Sequence, residues 1–164
     1  MRRALALAAV GGALLAAAAC GPDSDTPASP SAAPATSAVD LTANTAAACQ
    51  TVDAVYTALD SGTRDEIVKG AAAEAKGDTA TATRALATLQ PLFTSTAATF
   101  ADAAGKALDP QVKEALTALS EAVKKSAGFT SFEQFRVMEG LTAPAEATLK
   151  KKCSDAGITL KNVE

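Results

Sequence analysis

The sequence contains no histidine and no tryptophan, and Tyr56 is its only tyrosine. Without an imidazole, Ser-His-Asp and Cys-His catalysis are excluded, together with any ordinary histidine-based zinc or haem site. A di-metal site inside a helical bundle would need Glu-x-x-His pairs on facing helices, and this chain can form none. No metal and no cofactor is expected. Aromatic residues make up 4% of the chain, whereas strands draw on aromatic and β-branched side chains. Their scarcity argues against a sheet. No basic stripe interleaved with aromatics occurs, so a nucleic-acid partner is not expected.

What is present in excess is alanine, 42 of 164 residues, the strongest helix former. The composition points to an all-α fold. The N-terminus stands apart. Met1-Arg2-Arg3 gives a positive start, and the apolar run Ala4 to Ala19 follows, broken by Gly11-Gly12. That pattern suits the hydrophobic region of a signal peptide over residues 1–19. A transmembrane helix would want about 20 residues of stronger hydrophobicity. Export is the expectation, and losing Arg2 and Arg3 leaves 13 basic residues against 18 acidic ones, a net charge of −5.

The run closes in Leu14-Leu15-Ala16-Ala17-Ala18-Ala19-Cys20, which resembles a bacterial lipobox. That resemblance implies cleavage before Cys20 and a diacylglyceryl group on its thiol, with Ala17 standing where the motif usually carries Leu. The alternative is plain secretion, because Ala17-x-Ala19 also satisfies ordinary signal cleavage. Residues 20–40 are rich in Pro, Ser, Thr and Ala after the cysteine. Such a segment buries too little apolar surface to offset its ordering entropy. It is expected to be a disordered, semi-stiff linker between anchor and domain.

Residues 41–164 read as an antiparallel up-down bundle of about four helices, one or more of them kinked. The first begins near Asp40–Thr42, with Cys49, Val52, Tyr56 and Leu59 along one face. Ser61-Gly62 interrupts it, and Thr63-Arg64-Asp65-Glu66 is a capping-box pattern. The stripe resumes at Ile67, Ala71 and Ala75, so a bent or restarted helix is expected there. Gly77-Asp78 is a stop followed by a start. Leu86, Leu89, Phe93, Ala97, Phe100, Ala104 and Ala107 form the next stripe, with a kink expected at Pro91. Asp109-Pro110 opens a third helix along Val112, Leu116, Leu119 and Val123. Thr130-Ser131-Phe132-Glu133 is a second capping box. It leads into Phe132, Phe135, Met138, Leu141, Ala145, Leu149 and Cys153, with Pro144 bending the run and Gly157 to Glu164 left as a tail.

The chain has three cysteines. If Cys20 carries lipid, Cys49 and Cys153 remain as an even pair in an oxidising compartment. An even number of passes sets the start of the first helix beside the end of the last. Four passes therefore allow a Cys49–Cys153 disulfide, whereas five would hold the thiols too far apart.

The Arg-Arg leader, Cys20, the Pro/Ser/Thr spacer, Ala48-Cys49, Lys76-Gly77-Asp78, Asp109-Pro110 and Lys152-Cys153 together resemble small Ala-rich lipoproteins exported by actinobacteria. The resemblance implies an address and no established activity. Asp53, Asp60, Glu66, Glu74, Asp102, Glu114, Glu121, Glu139 and Glu146 are the candidate carboxylates, read as surface charge. Lys124-Lys125 and Lys150 to Lys152 read as helix-end stabilisers, with anionic headgroups or wall polymers as the alternative. Tyr56, Phe93, Phe100, Phe132, Phe135 and Met138 read as core, with a ligand pocket as the alternative. The expected function is a non-catalytic interaction or envelope module, lipid-anchored on the outer face of the membrane and contacting an unknown envelope protein. A binding protein for a small apolar ligand between helices comes second, and an enzyme last.

Overall fold

The computed structural model describes residues 38–163. The expected signal peptide, Cys20 and nearly all of the linker lie outside the described residues. Within them the fold is all-helical: α1 (Ala38–Ala75), α2 (Thr79–Lys106), α3 (Pro110–Ser126) and α4 (Glu133–Asp155), with no strand. None of these helices is long and apolar enough to cross a membrane. Consecutive helices pack side by side into a bundle, and α1 also touches α4, though less extensively.

Local chemistry places the helix ends. Gly77 takes a left-handed φ of 76°, which only glycine adopts without strain. The turn lets Asp78 N–H reach the Ala73 carbonyl at 2.9 Å and Gly77 N–H reach the Glu74 carbonyl at 3.0 Å. This is a Schellman closure. Gly157 ends α4 the same way, φ 79°, with Ile158 N–H on the Cys153 carbonyl at 2.8 Å. Asp78 caps α2 by accepting from Thr81 N–H at 3.1 Å. Asp109 caps α3 by accepting from Gln111 N–H at 2.8 Å and Val112 N–H at 3.2 Å, with Pro110 at the first helical position.

Three expectations need correction. The helix does not restart at Gly62: α1 runs through it unbroken. Thr63 is buried, and its Oγ1 caps nothing and has no hydrogen-bond partner. A capping box forms only where the backbone already leaves the helix, and packing on one side holds this backbone helical. The second box is also built differently. Gln134, not Glu133, reaches back, its Oε1 accepting from Thr130 N–H at 2.7 Å and Ser131 N–H at 3.2 Å. Finally, the C-terminal tail belongs to the fold. Leu160 and Val163 are buried, Lys161 N–H donates to Asp53 at 3.0 Å and Asn162 donates to Thr57 at 3.0 Å.

The core follows the stripes of α2 and α3. Leu89, Phe93, Ala97, Phe100, Val112, Leu116, Leu119 and Val123 are all buried. Neither Gly62 nor Pro91 reverses the chain. Pro91 lies on the exposed side of α2, where the Thr94 and Ser95 hydroxyls donate to the Gln90 and Leu92 carbonyls, each at 2.9 Å. The outer stripes hold less well: Ala71 and Ala75 of α1 are exposed, and Leu141 of α4 is 48% exposed. Where α1 and α4 part, no neighbour covers those positions.

Candidate functional site

Two ends of the domain differ in character. At one end the elements are fastened together. Cys49 and Cys153 stand at disulfide distance, S–S 1.98 Å and Cα–Cα 5.6 Å, and both are fully buried. Asn44 of α1 donates to the Lys106 carbonyl at 3.0 Å and accepts from Leu108 N–H at 2.8 Å. Lys152 of α4 pairs with Asp109 at 2.8 Å, with both side chains largely shielded. The Lys152 hydrogen bond, joined by those from Val112 and Gln111, holds the Asp109 carboxyl below its ordinary value against the opposing effect of desolvation. The sequence-predicted cysteines therefore meet, within a structural lock.

Midway, Tyr56 of α1 donates to Glu146 of α4 at 2.7 Å. Its ring lies 6.2 Å from that of Phe100. Burial, then the bond to Glu146 and its charge, push the Tyr56 hydroxyl well above its usual value of 10.0. A neutral phenol locked onto a carboxylate joins two helices and offers no nucleophile.

The other end is aromatic and open. Phe135 is the hub: Phe129 meets it edge-on at 5.0 Å, and Phe93 and Phe132 each lie 5.6 Å away. Phe132 lies directly over Gly70 of α1. A Cβ built on Gly70 would stand 2.0 Å from the Phe132 ring, so only glycine admits this approach. One turn on, Glu74 accepts from Phe132 N–H at 2.6 Å. That carboxylate does for the first turn of α4 what a local cap would do, because Phe132 has no capping side chain.

Beside this contact α1 and α4 separate, leaving a groove of about 560 Å³. Ile67 and Ala71 form one wall, Phe132 and Phe135 the other, with Glu74 and Arg136 among the polar residues lining it. Arg136 pairs with Glu133 at 3.3 Å. Two of the aromatics expected in the core, Phe132 and Phe135, therefore also line a groove.

The other carboxylates do not converge. Asp60, Glu66 and Asp102 pair with neighbours on their own helices, Arg64, Lys69 and Lys106. Asp53 holds the tail, and Glu114 and Glu121 are exposed on α3. Among the described residues no group of three metal-capable side chains occurs. Sequence reasoning missed Phe129 and the role of Glu74. Glu74 and Phe132 are 58 residues apart, beyond the reach of any local sequence pattern. No family model matches the chain, and no curated protein or solved structure is significantly similar to it.

Proposed function

We propose that the chain is a lipid-anchored, extracytoplasmic binding module with no catalytic role, held to the membrane through Cys20. The observation that carries this reading is the cysteine pairing. Cys49 and Cys153 lie together in the core, so the one thiol left over is the one that ends the apolar leader. Two acyl chains there give stable attachment.

We infer that the four helices run up and down. Asn44, near the start of α1, bonds the end of α2, and Cys49 in the first part of α1 meets Cys153 near the end of α4. In this arrangement the lock lies toward the start of α1 and the aromatic groove toward its end. A domain fastened at one end and open at the other suits capture of a partner, an envelope protein or a small apolar molecule.

The anchor is tested by Cys20→Ala in the producing cell. The variant is expected in the medium and the parent in the membrane fraction, and a variant retained in the membrane sinks the lipid assignment. Intact mass of the mature parent should show two acyl chains on the protein and no free thiol.

A further inference from the structure

We infer that the groove between α1 and α4 binds a small cation with an apolar body. This deepens the reading of the domain as a binding module and does not depend on the lipid at Cys20.

The groove, about 560 Å³ and open to solvent along one side, has room for a small molecule laid against its walls. Ile67, Ala71, Phe132 and Phe135 give it apolar walls. The Phe135 ring is half-buried, with Phe93, Phe129 and Phe132 packed around it. The part of that ring left exposed is held in place by its neighbours and costs a ligand little in ordering.

Charge decides the ligand's sign. The start of a helix ordinarily invites an anion, but at this one a carboxylate already stands beside the opening. Glu74 occupies the Phe132 N–H, and Gln134 takes the two N–H groups before it. An incoming anion would meet the Glu74 carboxylate. Of the charges lining the groove, Glu133 and Arg136 satisfy each other, and Lys69 across α1 is paired with Glu66. Glu74 has a backbone donor and, among the described residues, no cationic side chain within ion-pair distance. It is half-buried, where water screens a charge less than at an open surface. A ligand ammonium beside Glu74, with its apolar body against Ile67, Ala71 and the exposed part of Phe135, supplies the missing counter-charge.

The test uses three probes with one body and different heads, 4-phenylbutylammonium, 4-phenylbutanol and 4-phenylbutanoate. Each is titrated by calorimetry into the mature chain carrying Cys20→Ser, with ligand-observed NMR as the second readout. The ammonium is expected to bind about tenfold more tightly than the alcohol, with the carboxylate weakest, in line with about 1.4 kcal/mol for one shielded charge contact. Glu74→Gln keeps an acceptor for Phe132 N–H and should reduce the ammonium to the affinity of the alcohol. Ala71→Trp, at an exposed lining position, should fill the groove and abolish binding, while circular dichroism shows the helices intact. Equal binding of all three probes, preference for the carboxylate, or binding that survives Ala71→Trp would overturn the assignment. So would failure of every probe to bind. Because Cys20 is tested separately, the anchor and the ligand can fail independently.

Discussion

Glycine in the middle of an exposed helix normally weakens it by roughly 0.5–1 kcal/mol relative to alanine. Gly105 and Gly140 have open space where a Cβ would go, and their replacement by alanine should stabilise the domain by about that much. Gly70 should respond with the opposite sign. Its Cβ would strike the Phe132 ring, and overpacking of this kind costs about 1–3 kcal/mol. Urea unfolding of the three single variants checks the sign at each position. Tyr56 offers a second probe, because it is the only tyrosine and can be titrated by its own ultraviolet absorbance. The folded protein should resist phenolate formation past pH 10, and Tyr56→Phe should cost about 1 kcal/mol through loss of the bond to Glu146. Since the folded-state value is raised, the unfolded chain releases this proton first as pH climbs. The stability linked to Tyr56 is therefore complete below about pH 10 and declines above it.

Among the elements, the ends of α2 and α3 were legible in the sequence because their causes are local. Asp78 and Asp109 bond to amides two or three residues away, and Gly77 needs only its own φ. The ends that were misread depend on distant partners. Thr63-x-x-Glu66 has the right residues, but α1 continues unbroken through it. The first turn of α4 is capped from α1, 58 residues earlier, which no local pattern announces. The tail was read as loose because Leu160 and Val163 are too few to form a stripe; their burial depends on Asp53 and Thr57 a hundred residues back. Two variants probe these ends. Asp109→Ala removes a cap and the partner of Lys152, and should cost about 1–2 kcal/mol. Asp109→Asn keeps an acceptor and should cost less. Because the Asp109 carboxyl is depressed in the folded state, its contribution is complete above about pH 4 and is lost as pH falls further. Acid unfolding of the parent and of Asp109→Asn should converge at low pH. Leu160→Ala should cost about 2–3 kcal/mol if the tail is part of the core, read as a lower thermal midpoint. No change in that midpoint would return the tail to the status of an appendage.

For the whole molecule, the helical class and the pairing of Cys49 with Cys153 could both be read from the sequence. The first followed from alanine and the second from counting passes. The groove could not. It forms where the last turns of α1 meet the first turn of α4, residues some sixty positions apart whose approach periodicity does not record. Closing a loop across 104 residues should stabilise the fold by about 4–5 kcal/mol in the chain-entropy account. A domain of this size has a total of roughly 5–15 kcal/mol, so reduction removes a large share. The Cys49→Ala/Cys153→Ala protein should unfold at a much lower urea concentration than the oxidised parent, with helices that still form in buffer alone.

The bond between the first helix and the last also decides how the molecule bears load. Traction between its two extremities runs along α1 to Cys49, crosses the sulfurs and leaves through the short stretch after Cys153. Almost all of α2 and α3 lies off that line. Such a pull would peel the docked tail and the first turns of α1 away before it reached the core, and the aromatic recess would keep its shape under tension.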